Sequence, residues 1–326
     1  MPGSPLIDDS VAAPGERVVA VVVAWNRREL LGQCLDALAA QRRPANAIVV
    51  VDNASTDGSA DLAAARDVVD EVIAMPRNTG GAGGFTAGIA VAVVRQHADL
   101  VWIMDDDTIP GPGCLESLLD VRALYPGRLA LLASRADWKD GREHPMNTPR
   151  SRLGASSAER SRAASLGCRP IRSSSFVSVL IDAMAIRAEG LPVADYFLWN
   201  DDFEYTARLL RHRRGLYVPA ARARHLTKAF GDSSADPGPR FYREVRNKIW
   251  LFTHSQALNG WERVVYGAST LRRWARTVRA SRERATLGSG LWRGLVDGLT
   301  ARPRRNDEVL ADCPVAHEIQ ELENPR

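Results

Sequence analysis

Three adjacent carboxylates, Asp105-Asp106-Asp107, follow directly on the apolar run 100–104. Side by side at the exit of a strand they repel one another, and burial without partners is costly for each. A hard divalent cation such as Mg²⁺ or Mn²⁺ removes that conflict, because it takes carboxylate oxygens together with phosphate oxygens. The carboxyl ends of strands are also where open α/β sheets bind ligands. The competing explanation is a solvated acidic loop, or negative charge gathered ahead of the next helix.

A second acidic group, Trp199-Asn200-Asp201-Asp202-Phe203-Glu204, also follows a strand-like run. Either Asp201 or Asp202 would cap a helix beginning there, which is the plain explanation. Capping needs one acid, whereas three fall within four positions beside two aromatics. That arrangement suits a general base working on a sugar hydroxyl against an aromatic wall.

The stretch 77–85 (RNTGGAGGF) lies between a short strand and a helix. Glycines there let the backbone approach a ligand, and the helix N-terminus behind them favours anionic oxygens. The dinucleotide fingerprint fails: Gly81 and Gly83 supply its first pair, but Thr86 stands at the third glycine position. No Gly-Lys-Ser/Thr follows, so the P-loop pattern fails too. The run 52–59 (DNASTDGS) is turn and cap chemistry, yet Asp52 at a strand end is also placed to accept from the imide N–H of a uracil or thymine. His225, beyond the acidic helix, is open to a structural or a metal-ligand role.

These residues need a frame that gathers strand ends. From Arg17 on, short β-branched runs alternate with amphipathic stretches, the mark of an α/β domain with a mostly parallel sheet. Residues 17–25 and 47–51 read as buried strands, and Leu30, Leu31, Cys34, Leu35 and Leu38 mark one face of a helix between them. A strand at 71–75, a helix at 83–97, a strand at 100–104, a helix at 115–125 and a strand at 129–134 continue the pattern. Residues 137–169, rich in Ser, Arg, Pro and Gly, break it and read as a long mobile loop near the substrate. Residues 174–186 return to a strand-like pattern, 202–213 read as a helix, and 215–218 start a strand. From 240 on the chain reads as helical.

In this order the motifs resemble those of the inverting family-two glycosyltransferases, whose catalytic domain has the GT-A fold. The matching parts are Ala24-Trp25-Asn26-Arg27, VVDNASTDGS at 50–59, RNTGGAGGF at 77–85, WIMDDD at 102–107, WNDDFE at 199–204, His225 and YREVRN at 242–247. The resemblance spans about residues 18–252. It implies that Asp105 and Asp107, with Asp106 between them, hold the cation that bridges a nucleotide diphosphate, and that His225 completes the metal shell. Asp202 is then the base, with Asp201 beside it. Asn26, Arg27, Asp52, Arg77, Asn78, Gly81 and Gly83 form the nucleotide-sugar site, and Trp199, Glu204, Tyr242 and Arg246 face the sugar or acceptor. NTGGAGGF followed by DDD looks most like bacterial galactofuranosyltransferases of cell-wall assembly, with rhamnosyltransferases next. That implies a UDP- or dTDP-sugar donor and a glycan or polyprenyl-diphosphate-linked acceptor.

Composition sets the outer bounds. The 326 residues, 45% of them hydrophobic, suffice for a sizeable core, and the formal charge is only +4. Residues 261–305 carry eleven arginines against three acids, a net of +8 that leaves the rest slightly acidic. With Trp261, Trp274 and Trp292 interspersed, that stretch is expected to meet an anionic membrane surface. No recognition motif accompanies it, so nucleic acid is not expected as a partner. The four cysteines share no CxxC spacing, as in a reduced compartment, and neither a signal peptide nor a bilayer-length apolar run is evident. The expectation is a cytoplasmic protein, peripheral on the inner face of the membrane. Its parts are a disordered leader at 1–16, a catalytic domain at 17–239 (nucleotide-binding half 17–110, acceptor half 111–239) and a basic helical region at 240–326. Two other classes compete. A sugar-1-phosphate nucleotidyltransferase usually carries its glycine-rich loop straight after the first strand, where Trp25-Asn26-Arg27 stands here. A non-catalytic membrane partner would have lost acids that are all present.

Overall fold

The computed structural model describes residues 15–227, 230 and 237–324; most of the expected leader lies outside them. The chain alternates β1 (Val18–Ala24), α1 (Arg28–Ala39), β2 (Ala47–Asp52), α2 (Ser59–Ala64), β3 (Glu71–Ala74), α3 (Gly80–Val94) and β4 (Leu100–Asp105). There follow β5 (Thr108–Pro110), α4 (Cys114–Leu124), β6 (Leu131–Asp137), β7 (Arg150–Ser151), α5 (Ser157–Ser165), β8 (Arg169–Ser173) and β9 (Val179–Asp182). Next come α6 (Ala183–Glu189), α7 (Asp201–Leu209) and β10 (Gly215–His225), and then only helices: α8 (Phe241–Thr253), α9 (Gly260–Ala280), α10 (Arg284–Thr300), α11 (Asn306–Val309) and α12 (Ala316–Glu323).

The strands form one mixed ten-stranded sheet in the order β3-β2-β1-β4-β9-β6-β10-β8-β7, with β5 pairing to β10. β1 runs parallel to both β2 and β4, so the chain reverses its direction of winding there. An open α/β sheet holds its ligand crevice at the carboxyl ends of strands beside such a reversal. In β1 the residues are buried on both faces: Val19, Val21 and Val23 join one core cluster, Ala20, Val22 and Ala24 the other. That is why the strand reads as an unbroken apolar run.

The glycines at the start of α3 are spaced for packing. A Cβ at Gly84 would strike Val23, and one at Gly88 would strike Val21. The helix starts at Gly80, three residues before the expected 83, and so absorbs the glycine-rich turn into its first turns.

Two expectations for the middle of the chain need correction, and a third is borne out. Residues 137–169 are not a structureless loop: they contain a 3₁₀ turn (Pro145–Asn147), β7 and α5, whose N-cap Ser156 accepts from the Glu159 N–H. Residues 174–186 are a connection, the short antiparallel β9 and the start of α6, because Asp182 caps that helix through the N–H groups of Met184 and Ala185. The strand starting at 215 continues to His225, and this length carries the histidine to the crevice.

The C-terminal helices are not a loose appendage. Gly290, Gly294 and Gly298 of α10 lie flush against α8, where a Cβ would meet Tyr242, Val245 or Ile249. Val309, Leu310, Val315, Ile319 and Leu322 join the core cluster of β1, β2 and α3. Trp274, expected on the basic surface, is instead only 5% exposed and packs edge-on against Phe241. Trp261 and Trp292 are 75% and 70% exposed.

Candidate active site

A cleft of about 990 Å³ opens over the carboxyl ends of β1 and β4, lined among others by Asp105, Asp107, His225, Asp201 and Asp202. Asp105 ends β4 opposite Val23 of β1, and Asp52 ends β2 opposite Ala24. Strand register alone thus brings two of the acids to the same edge.

Asp105, Asp107 and His225 each offer one ligand atom, all within 4.8 Å of one another. His225 Nε2 lies 3.1 Å from Asp107 Oδ1, an oxygen that is buried with no hydrogen bond. The other ring nitrogen, Nδ1, is 2.9 Å from Asn147 Oδ1. When a cation is bound, a proton on Nδ1 donated to that oxygen would leave the Nε2 lone pair free for the metal, as a metal-binding imidazole requires. Two carboxylate oxygens and one imidazole suit Mn²⁺ or Mg²⁺, so the donor set fits a divalent cation.

Charge within the triplet is divided unevenly. Burial, and then the charges of Asp107 and Asp106, push the Asp105 carboxyl well above its usual range. Burial lifts Asp106 to about 6 against the Trp25 N–H and Arg27, which hold it down. Asp107 is buried too, but His225 and Arg27 outweigh that and hold it below the ordinary value. The half-exposed Arg27 bridges the pair, with Nη1 3.1 Å from Asp106 Oδ1 and 2.6 Å from Asp107 Oδ2.

Asp201 and Asp202 open α7, but neither caps it. The N-cap is Asn200 in the left-handed region, with no side-chain cap bond. Burial and the neighbouring Asp202 raise Asp201 to about 8. Burial also raises Asp202, opposed by the cations Lys248 and Arg150. Lys248 is itself lowered to about 8 by burial. Its ammonium faces the Phe203 ring at 4.7 Å, and the Arg150 guanidinium faces the same ring at 5.3 Å.

The other expected site residues divide into two groups. Asn26, Arg27, Gly81 and Trp199 line the cleft; Asn26 shapes the loop after β1 by accepting from the Thr56 N–H. Asp52 Oδ2 accepts from the Ser55 N–H while its buried Oδ1 has no partner. The remainder are engaged elsewhere. Arg77 binds Asp312 and the Val309 carbonyl, tying the C-terminal segment to the body. Asn78 accepts from the Gly80 N–H, and Gly83 leaves room for the Thr79 side chain. Glu204 is buried, paired with Arg208 one turn on and hydrogen-bonded by Ser255. Tyr242 donates to Asp297, and Arg246 stacks on Trp250.

Helix phase explains the last two. Phe241, Glu244 and Lys248 of α8 line the cleft, and positions 242 and 246, one turn apart, share a different face of the helix. Sequence reasoning missed Asn147, Arg150 and Lys248. The first two lie in the stretch taken for irregular loop, and Lys248 needed only the helical period of α8.

The sequence profile described as Glycosyl transferase family 2 matches residues 19–160. The galactofuranosyltransferase GlfT1 of Mycolicibacterium smegmatis is 31% identical over 212 residues, 60% of this chain and 66% of that relative. GlfT1 of Mycobacterium tuberculosis is 42% identical over 97 residues, 28% of this chain and 31% of its own length. The chain thus matches less than two thirds of the length of these relatives. Among solved structures, S. aureus TarS 1–349 in complex with UDP-GlcNAc superposes with a TM-score of 0.60 at 16% identity, over 94% of this chain and 90% of that one. The mannosyltransferase PcManGT from Pyrobaculum calidifontis, in complex with GDP-Man and Mn²⁺, gives 0.51 at 14% identity, over 87% of each. The GT-A arrangement of its sheet and the acidic cluster at the strand ends agree with the match of residues 19–160 to glycosyl transferase family 2.

Proposed function

We propose that this protein is an inverting glycosyltransferase that moves a sugar from a nucleoside diphosphate to an acceptor hydroxyl. The observation that carries it is the meeting, in one cleft, of a cation-competent trio (Asp105, Asp107, His225) with a second carboxylate pair (Asp201, Asp202). Asp202 takes the acceptor proton as general base. Lys248 and Arg150 hold its charge available, and Asp201, raised by burial, is the poorer acceptor at neutral pH. Arg27 and the N-terminal turn of α3 at Gly81 face the diphosphate side. A Mn²⁺ or Mg²⁺ ion held by the trio supplies, when bound, charge neutralisation for the departing diphosphate.

The donor is UDP- or dTDP-linked galactofuranose, with rhamnose next. The similarity to galactofuranosyltransferases and to a fold neighbour bound to UDP-GlcNAc supports this choice. The acceptor is a glycan or polyprenyl-diphosphate-linked sugar of cell-wall assembly, met at the inner face of the cell membrane. No helix among the described residues is long and apolar enough to cross a membrane. Trp261, Val264 and Leu271 of α9 and Trp292, Val296 and Leu299 of α10 are exposed apolar residues among arginines, a combination suited to lying on an anionic bilayer.

Purified protein is to be screened with UDP- and dTDP-sugars, with Mn²⁺, Mg²⁺ or chelator. The expected result is cation-dependent release of nucleoside diphosphate with UDP-galactofuranose and an acceptor. Pyrophosphate release would replace this function with nucleotidyl transfer, and inertness towards every donor would end it.

A further inference from the structure

The carboxylate pair is presented by a contorted segment. A 3₁₀ turn, Ala194–Tyr196, leads into α7 through four residues, three of which have positive φ: Phe197 at 63°, Trp199 at 71° and Asn200 at 66°. At Phe197 ψ is −58° and the Leu198 N–H donates to the Tyr196 carbonyl at 2.7 Å. That is a γ-turn of the rare positive-φ kind, which is strained. Bulky non-glycine residues adopt such angles only where the surroundings over-determine them, and strain of this sort gathers at functional sites.

The surroundings here are α8 and the start of α3. Asn247, fully buried, points its amide nitrogen at three carbonyl acceptors of this segment: Tyr196 O at 2.9 Å, Leu198 O at 3.0 Å and Trp199 O at 2.8 Å. Its own Oδ1 is held by Arg246 Nε and Nη2, and Arg246 Nη2 also donates to the Asp195 carbonyl. From the other side, the Ala82 N–H donates to the Phe197 carbonyl, which lies so close to Gly80 that any Cβ there would collide with it. Asn200 in turn donates to Glu244.

We infer that Asn247 is a positioning residue for the Asp201–Asp202 pair: by gathering the carbonyls of the strained turn it fixes where the two carboxylates stand in the cleft. This rests on the proposed role of Asp202 as base. It also gives Arg246 a part different from the expected sugar contact, as the residue that orients the Asn247 amide. The alternative is that Asn247 merely fastens α8 to the body of the protein.

The variant to make is Asn247→Asp, which keeps the shape and replaces the donating amide by an acceptor facing three carbonyls. Turnover is expected to fall about 100-fold, as for a misplacement of a catalytic group by about 1 Å. Binding of UDP with Mn²⁺, measured by calorimetry, should change by less than about twofold, since the trio at β4 and β10 is untouched. In an Asp202→Asn background the same change should cost little more, because a residue acting through Asp202 has nothing left to position. A full additional loss in that background, or an equal loss of UDP binding, would overturn the inference in favour of a fastening role. Should Asn247→Asp not fold, Asn247→Ser, which keeps one donor, carries the same cycle. Amide hydrogen exchange separates this from the proposed function. Faster exchange at residues 197–202 with α8 unchanged supports positioning even if no sugar is ever transferred, and unchanged exchange there refutes it.

Discussion

Nε2 of His225 stands 3.1 Å from Oδ1 of Asp107, where the last residue of β10 meets the turn leaving β4. Neither strand holds this relationship alone: the antiparallel pairing of β5 to β10, with His225 opposite Thr108, sets it. If the pair closes a cation site with Asp105, Asp107→Ala abolishes transfer and chelation reproduces the effect in the wild type. Replacing Asn147 by Leu, which removes the partner of Nδ1, should weaken Mn²⁺ binding by about 10–100-fold. Calorimetric titration with Mn²⁺ reads both, and full activity in chelator would discard the metal role.

Asp202→Asn preserves shape and removes the proton acceptor. Turnover should fall by roughly 10²–10⁴-fold with donor binding little changed. Asp201→Asn should be milder. Steady-state kinetics of both variants would reverse the assignment if Asp201→Asn proved the crippling change.

Asp201 predicts a pH signature in stability. A carboxyl in the unfolded chain titrates near ~4, whereas burial and Asp202 raise Asp201 in the folded protein to about 8. Between those values the unfolded chain has released a proton that the folded protein keeps. The contribution of Asp201 is therefore fully present below the unfolded value and is lost as pH rises towards the folded one. Asp201→Asn escapes this loss, so in chelator its melting temperature should exceed that of the wild type by more at pH 8 than at pH 5. A gap that is constant, or that narrows with pH, would contradict the burial of an uncompensated carboxylate.

Docking on a membrane predicts flotation with anionic liposomes at low salt and release at high salt, each arginine near the lipid contributing about 1 kcal/mol. The variant to compare is Trp261→Ala with Trp292→Ala, both well exposed and so cheap to replace. Deleting the region from 261 on would not serve, because Leu310, Val315 and Ile319 belong to the core. Equal flotation of the double variant and the wild type would remove these tryptophans from any interface.

What the sequence settled by itself was whatever depends on local period and local charge. The unbroken apolar run of β1, the i, i+4 face of α1 at Leu31 and Leu35, and an acidic triplet at a strand end are all encoded within a few residues. Motif order then carried the resemblance to the family whose profile residues 19–160 match, and pointed to the three metal-competent residues. Tertiary structure decided which side chains near a motif reach the cleft. Arg77 and Asn78 share a motif with Gly81, yet Arg77 is drawn to Asp312 and only Gly81 lines the cleft. Tyr242 and Arg246 lie on α8 with Lys248, but the rotation of that helix admits Lys248 and turns the other two aside. Trp274 reads as one more surface tryptophan until Phe241 buries it. Such outcomes depend on contacts between residues far apart in the chain, and no local pattern of hydrophobicity or charge records which long-range partner a side chain will find.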